Sequence, residues 1–168
     1  EIRIGGKPVY SSSRRINIPA ESRGLSMVFQ SYAIWPHMTV FENVAYGLRV
    51  RKRPDADIKA MVARALDLVQ MGKFADRKAS QLSGGQQQRV AVARALASEP
   101  ILILADEPTG NLDSANGEEV MKLLSQLNDE GTSIIMVTHS AEHAEYAQRR
   151  INLFDGKVVA QSQMSIAQ

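Results

Sequence analysis

The stretch Leu82-Ser83-Gly84-Gly85-Gln86 has residue types that suit anion binding, and it directly precedes a predicted helix. Two glycines let backbone N–H groups approach an oxyanion, the serine hydroxyl can donate, and the positive end of the helix dipole favours negative charge. A flexible turn is the commoner reason for two adjacent glycines. The stretch alone therefore leaves both interpretations open.

Asp106 and Glu107 form a second candidate site, because they directly follow the continuous apolar run Ile101–Ala105. Such a run predicts a buried strand of a parallel sheet, and ligands of open α/β sheets bind at the carboxyl ends of the strands. There, one acid can hold a metal ion while the other orients or deprotonates a water. The alternative is that the acidic pair caps the next helix.

Gln30 and His139 also follow predicted strands, over 25–29 and 133–138. A single glutamine or histidine at such a place is usually structural or solvated. Together with the first two stretches, however, they make four polar groups that fall at strand ends or at a helix N-terminus. The combination predicts one site at the carboxyl edge of a sheet.

The elements expected to position these residues alternate between strands and helices. Apolar residues at helical spacing from Asp55 to Val69, with Pro54 before them and Gly72 beyond, predict one helix. The other predicted elements are a hairpin over 1–10 that turns at Gly5-Gly6, strands over 25–29, 101–105, 133–138, 151–154 and 157–160, and helices over 83–98, 117–128 and 141–148. This order is typical of an α/β fold, and both faces of the 101–105 strand are expected to be covered.

Composition excludes several classes of protein. The 168 residues match the size of one domain, and the absence of cysteine excludes disulfides, zinc–thiolate sites and a thiol nucleophile. A formal net charge of +2 does not predict nucleic-acid binding, and no apolar run is long enough to span a bilayer. The chain begins without methionine at what resembles the middle of a strand, so we expect a cut N-terminus.

Four stretches together resemble the ATP-binding-cassette (ABC) ATPase family, across essentially the whole chain. FQSYAIWPHMTVFENVAYGL resembles its Q-loop region, LSGGQQQRVAVARAL its signature motif, ILILADEPTGNLD its Walker B motif and D-loop, and MVTHS its switch histidine. The resemblance implies an α/β P-loop NTPase (RecA-like) core that is incomplete at the N-terminus and carries an inserted helical subdomain. Residues 1–30 would be the remnant of the β-subdomain with the Q-loop strand, 31–80 the helical subdomain, and 81–168 the signature helix, Walker B, D-loop, switch histidine and C-terminal hairpin.

The resemblance implies that two such subunits enclose ATP head to tail. Ser83, Gly84 and Gly85 would contact the γ-phosphate held by the other subunit, with Gln86 alongside. Asp113, in the D-loop, would lie at the interface of the dimer. These five residues are the candidate nucleotide contacts.

The resemblance also implies the catalytic and metal-binding residues. Glu107 would be the general base for the attacking water, and His139 would contact the γ-phosphate. Asp106 would hold Mg²⁺ through water, and Gln30 would reach both Mg²⁺ and the attacking water. ATP and Mg²⁺ are thus the implied cofactors.

The 168 residues depart from the family in the phosphate-binding loop. The pattern G-x-x-x-x-G-K-[ST] is absent, because none of the Gly-Lys pairs (Gly6-Lys7, Gly72-Lys73 and Gly156-Lys157) is followed by Ser or Thr. We therefore expect an N-terminally truncated piece of an ATPase that alone binds Mg-ATP poorly and does not hydrolyse it.

The transported substrate stays open, because two kinds of relative are resembled. Residues 27–50 are similar to ATPases of iron, polyamine or sugar importers, and residues 105–159 to those of lipoprotein-release and macrolide-export systems. A recombinant chimera is an alternative. The implied partners are a transmembrane permease and a second ATPase subunit, without nucleic acid, at the cytoplasmic face of the membrane. Two other functions stay open: a non-transport ABC ATPase, and a non-catalytic fragment or regulatory module.

Overall fold

The computed structural model describes residues 1–159 of the chain. The strands are β1 (Ile2–Ile4), β2 (Lys7–Ser11), β3 (Ile16–Asn17), β4 (Leu25–Val28), β5 (Leu102–Asp106), β6 (Ile134–Val137), β7 (Asn152–Phe154) and β8 (Lys157–Val159). The helices are α1 (Val40–Val50), α2 (Asp55–Leu68), α3 (Gly84–Leu96), α4 (Ser114–Asp129) and α5 (Ala141–Ala144). Among the helices of the described range, none is both long and apolar enough to cross a membrane.

The chain divides into two compact units, and the second begins at Thr138. The second unit contains α5 and the antiparallel hairpin of β7 and β8. The predicted helix over 141–148 is wrong in length, because α5 ends at Ala144 and the following amides of Tyr146 and Ala147 donate to carbonyls only three residues back. Residue 160 of the predicted last strand lies outside the described residues.

A parallel sheet in the order β4-β5-β6 forms the centre of the first unit. Val28 of β4 pairs with Ala105 of β5, and Asp106 at the end of β5 pairs with Val137 of β6. The polypeptide crosses from β4 to β5 through α1, α2 and α3, and from β5 to β6 through α4. This arrangement confirms the predicted α/β fold class.

Only one face of this sheet is fully covered in the described residues. Val28, Ile103 and Ala105 point to the covered face and are buried. The opposite face carries Met27, which is 38% exposed, and Ile135, which is 55% exposed. On β5 itself, Leu102 and Leu104 point to this second face and are partly exposed, so the cover that was predicted for both faces of β5 is incomplete there in the described residues.

The helical segment between β4 and β5 packs around α3. The Thr39 hydroxyl caps α1 by accepting from the Glu42 amide, and the Glu42 carboxylate accepts from the Thr39 amide. Val44 and Leu48 of α1 belong to the hydrophobic core cluster, which also includes buried residues of α2 and α3. The members contributed by α2 and α3 are Ile58, Val62, Ala65, Leu66, Val90, Val92, Ala93 and Ala95. The predicted helical character of residues 31–80 thus corresponds to α1, α2 and short 3₁₀ turns.

The N-terminal hairpin has the predicted form. β1 and β2 pair in antiparallel register and turn at Gly5 and Gly6, which have φ angles of 54° and 76°. These angles favour glycine, because a Cβ is strained in the left-handed region. The short strand β3, which the sequence pattern did not indicate, pairs with the other edge of β2.

Candidate functional site

Two of the predicted site segments meet at the carboxyl edge of the parallel sheet. Gln30 lies two residues beyond Val28, and Val28 pairs with Ala105, which directly precedes Asp106 and Glu107. The parallel register therefore brings the ends of β4 and β5 to one edge, as the sequence predicted. Asp106 and Gln30 are exposed, so both side chains are accessible to a ligand from solvent.

The backbone at Glu107 is strained and hydrogen-bonded on both sides. Glu107 has a φ of 43°, which is the left-handed region and uncommon for a residue with a side chain. Its amide donates to the Val137 carbonyl at 2.9 Å, and its carbonyl accepts from the Gly110 amide at 3.0 Å. The turn after β5 is thus tied to β6, which fixes the point at which the Glu107 side chain leaves the main chain.

The signature stretch begins a helix, as predicted, and its polar side chains cap that helix. The Ser83 hydroxyl accepts from the Gln86 amide at 3.3 Å, and the Ser83 amide donates to Gln86 Oε1 at 3.1 Å. The first intrahelical bond joins the Gln87 amide to the Ser83 carbonyl at 2.8 Å. The amides of Gly84 and Gly85 precede that bond and have no partner within the helix, so they are the donors available for an anion.

Both glycines of the stretch are also places of close approach. A Cβ at Gly84 would lie 2.8 Å from the Tyr32 hydroxyl oxygen, and a Cβ at Gly85 would lie 2.8 Å from the Asn116 Cγ. Real Cβ atoms do not come this close to other heavy atoms. The sequence attributed these glycines to an approaching anion, and the structure gives a second reason, which is the space taken by two side chains of the same chain.

Asp113 caps α4, and this cap explains why α4 begins at Ser114, three residues before the predicted start at Gly117. Its carboxylate accepts from the Asn116 amide at 2.9 Å and from Asn116 Nδ2 at 2.7 Å. The hydrogen bonds from the Asn116 amide and then from its side chain hold the pKa of Asp113 below its usual value. The carboxylate stays ionised and fixes Asn116 beside Gly85.

Asn111 joins the candidate segments, although sequence reasoning did not single it out. Its Nδ2 donates to the Gln30 carbonyl at 3.2 Å, and its Oδ1 accepts from Gln30 Nε2 at 3.4 Å. Its own carbonyl accepts from the Tyr32 hydroxyl at 3.0 Å. The sequence indication that could have pointed to Asn111 was its place in the run from Gly110 to Asp113, which follows the predicted acidic pair Asp106-Glu107 and ends at the predicted site residue Asp113.

Two residues of α3 that the sequence analysis did not assign also reach the loop after β4. Gln88 Nε2 donates to the Phe29 carbonyl at 3.3 Å and to the Pro108 carbonyl at 2.5 Å. The Arg94 guanidinium donates to the carbonyls of Tyr32 and Ala33. Burial lowers the pKa of Arg94 below its usual value. A polar side chain on the buried face of a helix was the available sequence signal.

His139 belongs to the second unit, where it is exposed between the end of β6 and the start of α5. Its assigned contact with a γ-phosphate stays a prediction.

In residues 1–159, no group of three or more His, Asp or Glu side chains is close enough together to hold a metal ion. A cation at Asp106 would therefore need other oxygen ligands, such as the Gln30 side-chain carbonyl, water and phosphate oxygens, which are ligands that Mg²⁺ accepts.

Comparison with known proteins identifies the family. The family model described as "ABC transporter" matches residues 1–110. The chain is 48% identical over 146 residues to the spermidine/putrescine import ATP-binding protein PotA of Aggregatibacter actinomycetemcomitans, covering 86% of this chain and 39% of that protein. It is 43% identical over 162 residues to the lipoprotein-releasing system ATP-binding protein LolD of Aquifex aeolicus, covering 96% of this chain and 72% of that protein.

The fold agrees with these matches. The structure superposes on the dimeric structure of MJ0796, a bacterial ABC transporter cassette, with a TM-score of 0.69 and 42% identity over 82% of this chain and 62% of that chain. A post-hydrolysis state of the same cassette, bound to ADP and Pi, gives a TM-score of 0.69 and 41% identity.

The chain belongs to the ABC transporter family of ATP-binding proteins, and its fold is that of the ATP-binding cassette. This confirms the family and the fold class that the sequence motifs predicted. The relatives include both a polyamine importer subunit and a lipoprotein-release subunit, which are two of the kinds that the motifs resembled. The chain spans about two fifths of the length of the PotA relatives, whose covered share is 39%.

Proposed function

We propose that this chain is part of an ATP-hydrolysing subunit that energises transport by a transmembrane permease, at the cytoplasmic face of the membrane. The observation that carries the proposal is that Gln30, Asp106 and Glu107 come together at one sheet edge. Asn111 binds both Gln30 and Tyr32, and the Tyr32 hydroxyl lies next to Gly84 at the start of the signature helix. Membership of the ABC family and the names of the relatives support the same function.

In the proposed reaction, water attacks the γ-phosphorus of ATP while the bond from that phosphorus to the β,γ-bridging oxygen breaks, giving phosphate and ADP. Glu107 accepts the proton of the attacking water, and Gln30 orients that water. His139 contacts the γ-phosphate. Asp106 and Gln30 would hold Mg²⁺, which would neutralise charge on the phosphate oxygens.

The proposed assembly is a head-to-tail pair of subunits. Ser83, Gly84 and Gly85 would contact the γ-phosphate held by the second subunit, with Gln86 next to them and Asp113 at the interface. The open amides of Gly84 and Gly85 at the start of α3 favour an anionic ligand there. The second subunit can be a copy of this protein or a related cassette, and nucleic acid is not a partner.

The test uses a hybrid subunit in which a phosphate-loop segment of the pattern G-x-x-x-x-G-K-[ST], taken from a family member, is joined ahead of Glu1. We expect the hybrid to hydrolyse Mg-ATP, and Glu107→Gln to lower turnover by roughly 10²–10⁴-fold, the usual contribution of a general base, while ATP still binds. Glu118→Gln is the control, because Glu118 is exposed on α4 and pairs there with the neighbouring surface residue Lys122 at 2.7 Å. Unchanged turnover in Glu107→Gln would remove Glu107 from this role.

The 168-residue chain is tested in parallel by equilibrium titration with Mg-ATP. No binding up to about millimolar ATP, which corresponds to roughly 4 kcal/mol of binding free energy, is expected when the phosphate-loop pattern is needed. Micromolar binding would mean that the phosphates use a site outside the one proposed. An inactive hybrid that nevertheless folds would favour a regulatory module instead of a catalytic subunit.

A further inference from the structure

The loop that follows β4 carries Gln30 and is held in an unfavourable backbone conformation. Tyr32 and Ala33 have φ angles of 61° and 48°, so two successive residues with side chains occupy the left-handed region. Only glycine adopts this region readily, and other residues visit it singly. Contacts from elsewhere in the fold must therefore hold this loop, and α3 supplies some of them in addition to those from Asn111 and Asn43.

Gln88 holds the start of the loop. Its side chain is fully buried, and Nε2 donates to the Phe29 carbonyl at 3.3 Å and to the Pro108 carbonyl at 2.5 Å. Its Oε1 is buried without a hydrogen-bond partner in the described part of the chain. The reverse orientation of the amide would set Oε1 against two carbonyl oxygens, so both N–H groups are committed to the two loops.

Arg94 holds the middle of the loop. One guanidinium nitrogen donates to the Ala33 carbonyl, and the other donates to the Tyr32 carbonyl at 3.1 Å. The guanidinium also lies over the Trp35 ring, with Cζ at 5.2 Å from the ring centroid. A planar, bidentate donor that also stacks on an aromatic ring is a geometry that lysine cannot reproduce.

We infer that Gln88 and Arg94 are positioning residues, which fasten the loop carrying Gln30 to the helix that begins with the signature stretch. Gln88 binds the residue before Gln30, and Arg94 binds two carbonyls shortly after it. Gln88 also binds Pro108, the residue after Glu107. A displacement of α3 therefore moves the loop of Gln30 and the turn of Glu107 together.

The inference has a structural part and a part that rests on the proposed function. The structural part is that Gln88 and Arg94 restrain residues 29–35, which is testable in the 168-residue chain without nucleotide. The dependent part is that loss of this restraint lowers turnover in the hybrid subunit. Different measurements address the two parts, so the failure of one is distinguishable from the failure of the other.

The structural test measures amide hydrogen exchange of a peptide that covers residues 29–35, and the fluorescence of Trp35, the only tryptophan in the chain. We expect faster exchange in Gln88→Met and in Arg94→Met, and easier acrylamide quenching of Trp35 in Arg94→Met. Arg94→Lys should lie between Arg94→Met and the wild type, because it keeps the charge and loses the bidentate contact. That variant also decides the question if Arg94→Met does not fold.

The matched controls lie on the same helix. Gln87→Met removes a side chain that donates to Leu82, and Arg89→Met removes one that pairs with Glu119 at 2.8 Å. The hydrogen bonds of Gln87 and Arg89 go to Leu82, Val69 and Glu119 and not to the loop, so both variants should exchange at residues 29–35 as the wild type does. Equal exchange in test and control variants would overturn the positioning role, whatever the activity.

In the hybrid subunit, Gln88→Met and Arg94→Met should each lower kcat by about 10-fold, the effect of losing a hydrogen bond from a buried or charged donor, with the KM for ATP unchanged. A purely structural loss of folded protein would scale with the folded fraction measured by circular dichroism. Faster exchange at residues 29–35 with an unchanged kcat would overturn the inference that the restraint of this loop supports turnover. A hybrid without any turnover would contradict the proposed function, while the exchange data would still decide the positioning role.

Discussion

Replacing Asn43 with alanine tests how strongly the helical segment anchors the loop that carries the candidate site. Asn43 is fully buried in α1. Its Oδ1 accepts from the Trp35 amide at 2.7 Å, and its Nδ2 donates to the carbonyls of Trp35 at 3.0 Å and Thr39 at 2.9 Å. One side chain therefore binds three main-chain groups, of which the Thr39 carbonyl also accepts from the Asn43 amide at 3.0 Å.

The expected loss follows from these contacts. A buried hydrogen bond contributes about 1 kcal/mol net, so Asn43→Ala should lower the free energy of unfolding by about 3 kcal/mol. For a chain of this size that corresponds to roughly 6–12 °C in Tm. Asn43→Asp should cost at least as much, because a carboxylate keeps the bond from the Trp35 amide and faces the two carbonyls without a donor.

The assay is urea unfolding followed by circular dichroism and by Trp35 fluorescence. Gln126→Ala is the control, because Gln126 donates to Glu130 at 2.9 Å on the exposed side of α4, and such a change should stay within about 0.5 kcal/mol. A loss below about 1 kcal/mol for Asn43→Ala, with the same Trp35 emission as the wild type, would refute the reasoning. It would mean that the three main-chain groups find other partners.

Two further predictions concern the start of α3 and the cap of α4. Gly85→Ala should destabilise the chain, because the new Cβ would lie 2.8 Å from the Asn116 Cγ; the double variant Gly85→Ala/Asn116→Ala should recover much of the loss in urea unfolding, and strictly additive effects would contradict the clash. The lowered pKa of Asp113 predicts stability that is fully present above its unfolded pKa and lost as the pH falls through the lower folded value. Asp113→Asn should therefore lose less stability than the wild type between about pH 5 and pH 3, measured as the shift of the urea midpoint, and an equal loss in both proteins would exclude this contribution.

The positions of the main elements were largely predictable from local sequence. Helix α2 follows from its apolar spacing and from Pro54 before its first residue, and β4 follows from a short apolar run. The end of α5 was not predictable, because a short polar helix in the second unit lacks a periodic apolar face whose end could be seen. The start of α4 was missed by three residues, because the capping role of Asp113 was overlooked.

The exposed face of the sheet also differed from the prediction. A continuous apolar run such as Ile101–Ala105 indicates that both faces of a strand are covered. The run does not indicate which part of the polypeptide covers each face. Along the chain, α3 precedes β5 and α4 follows it. On the second face of the sheet, Met27 and Ile135 remain partly exposed in the described residues.

The sequence by itself determined the family, the α/β order of the elements and the placement of the candidate residues at strand ends and at a helix start. Those features depend on neighbours in the chain, on apolar periodicity and on motifs a few residues long. Only the tertiary structure decided that Tyr32 lies against Gly84, that Asn116 lies against Gly85 and that Arg94 reaches the loop after β4. The Arg94 contacts join residues 61 and 62 positions apart, so they depend on how α3 packs against the sheet, which local pattern does not specify.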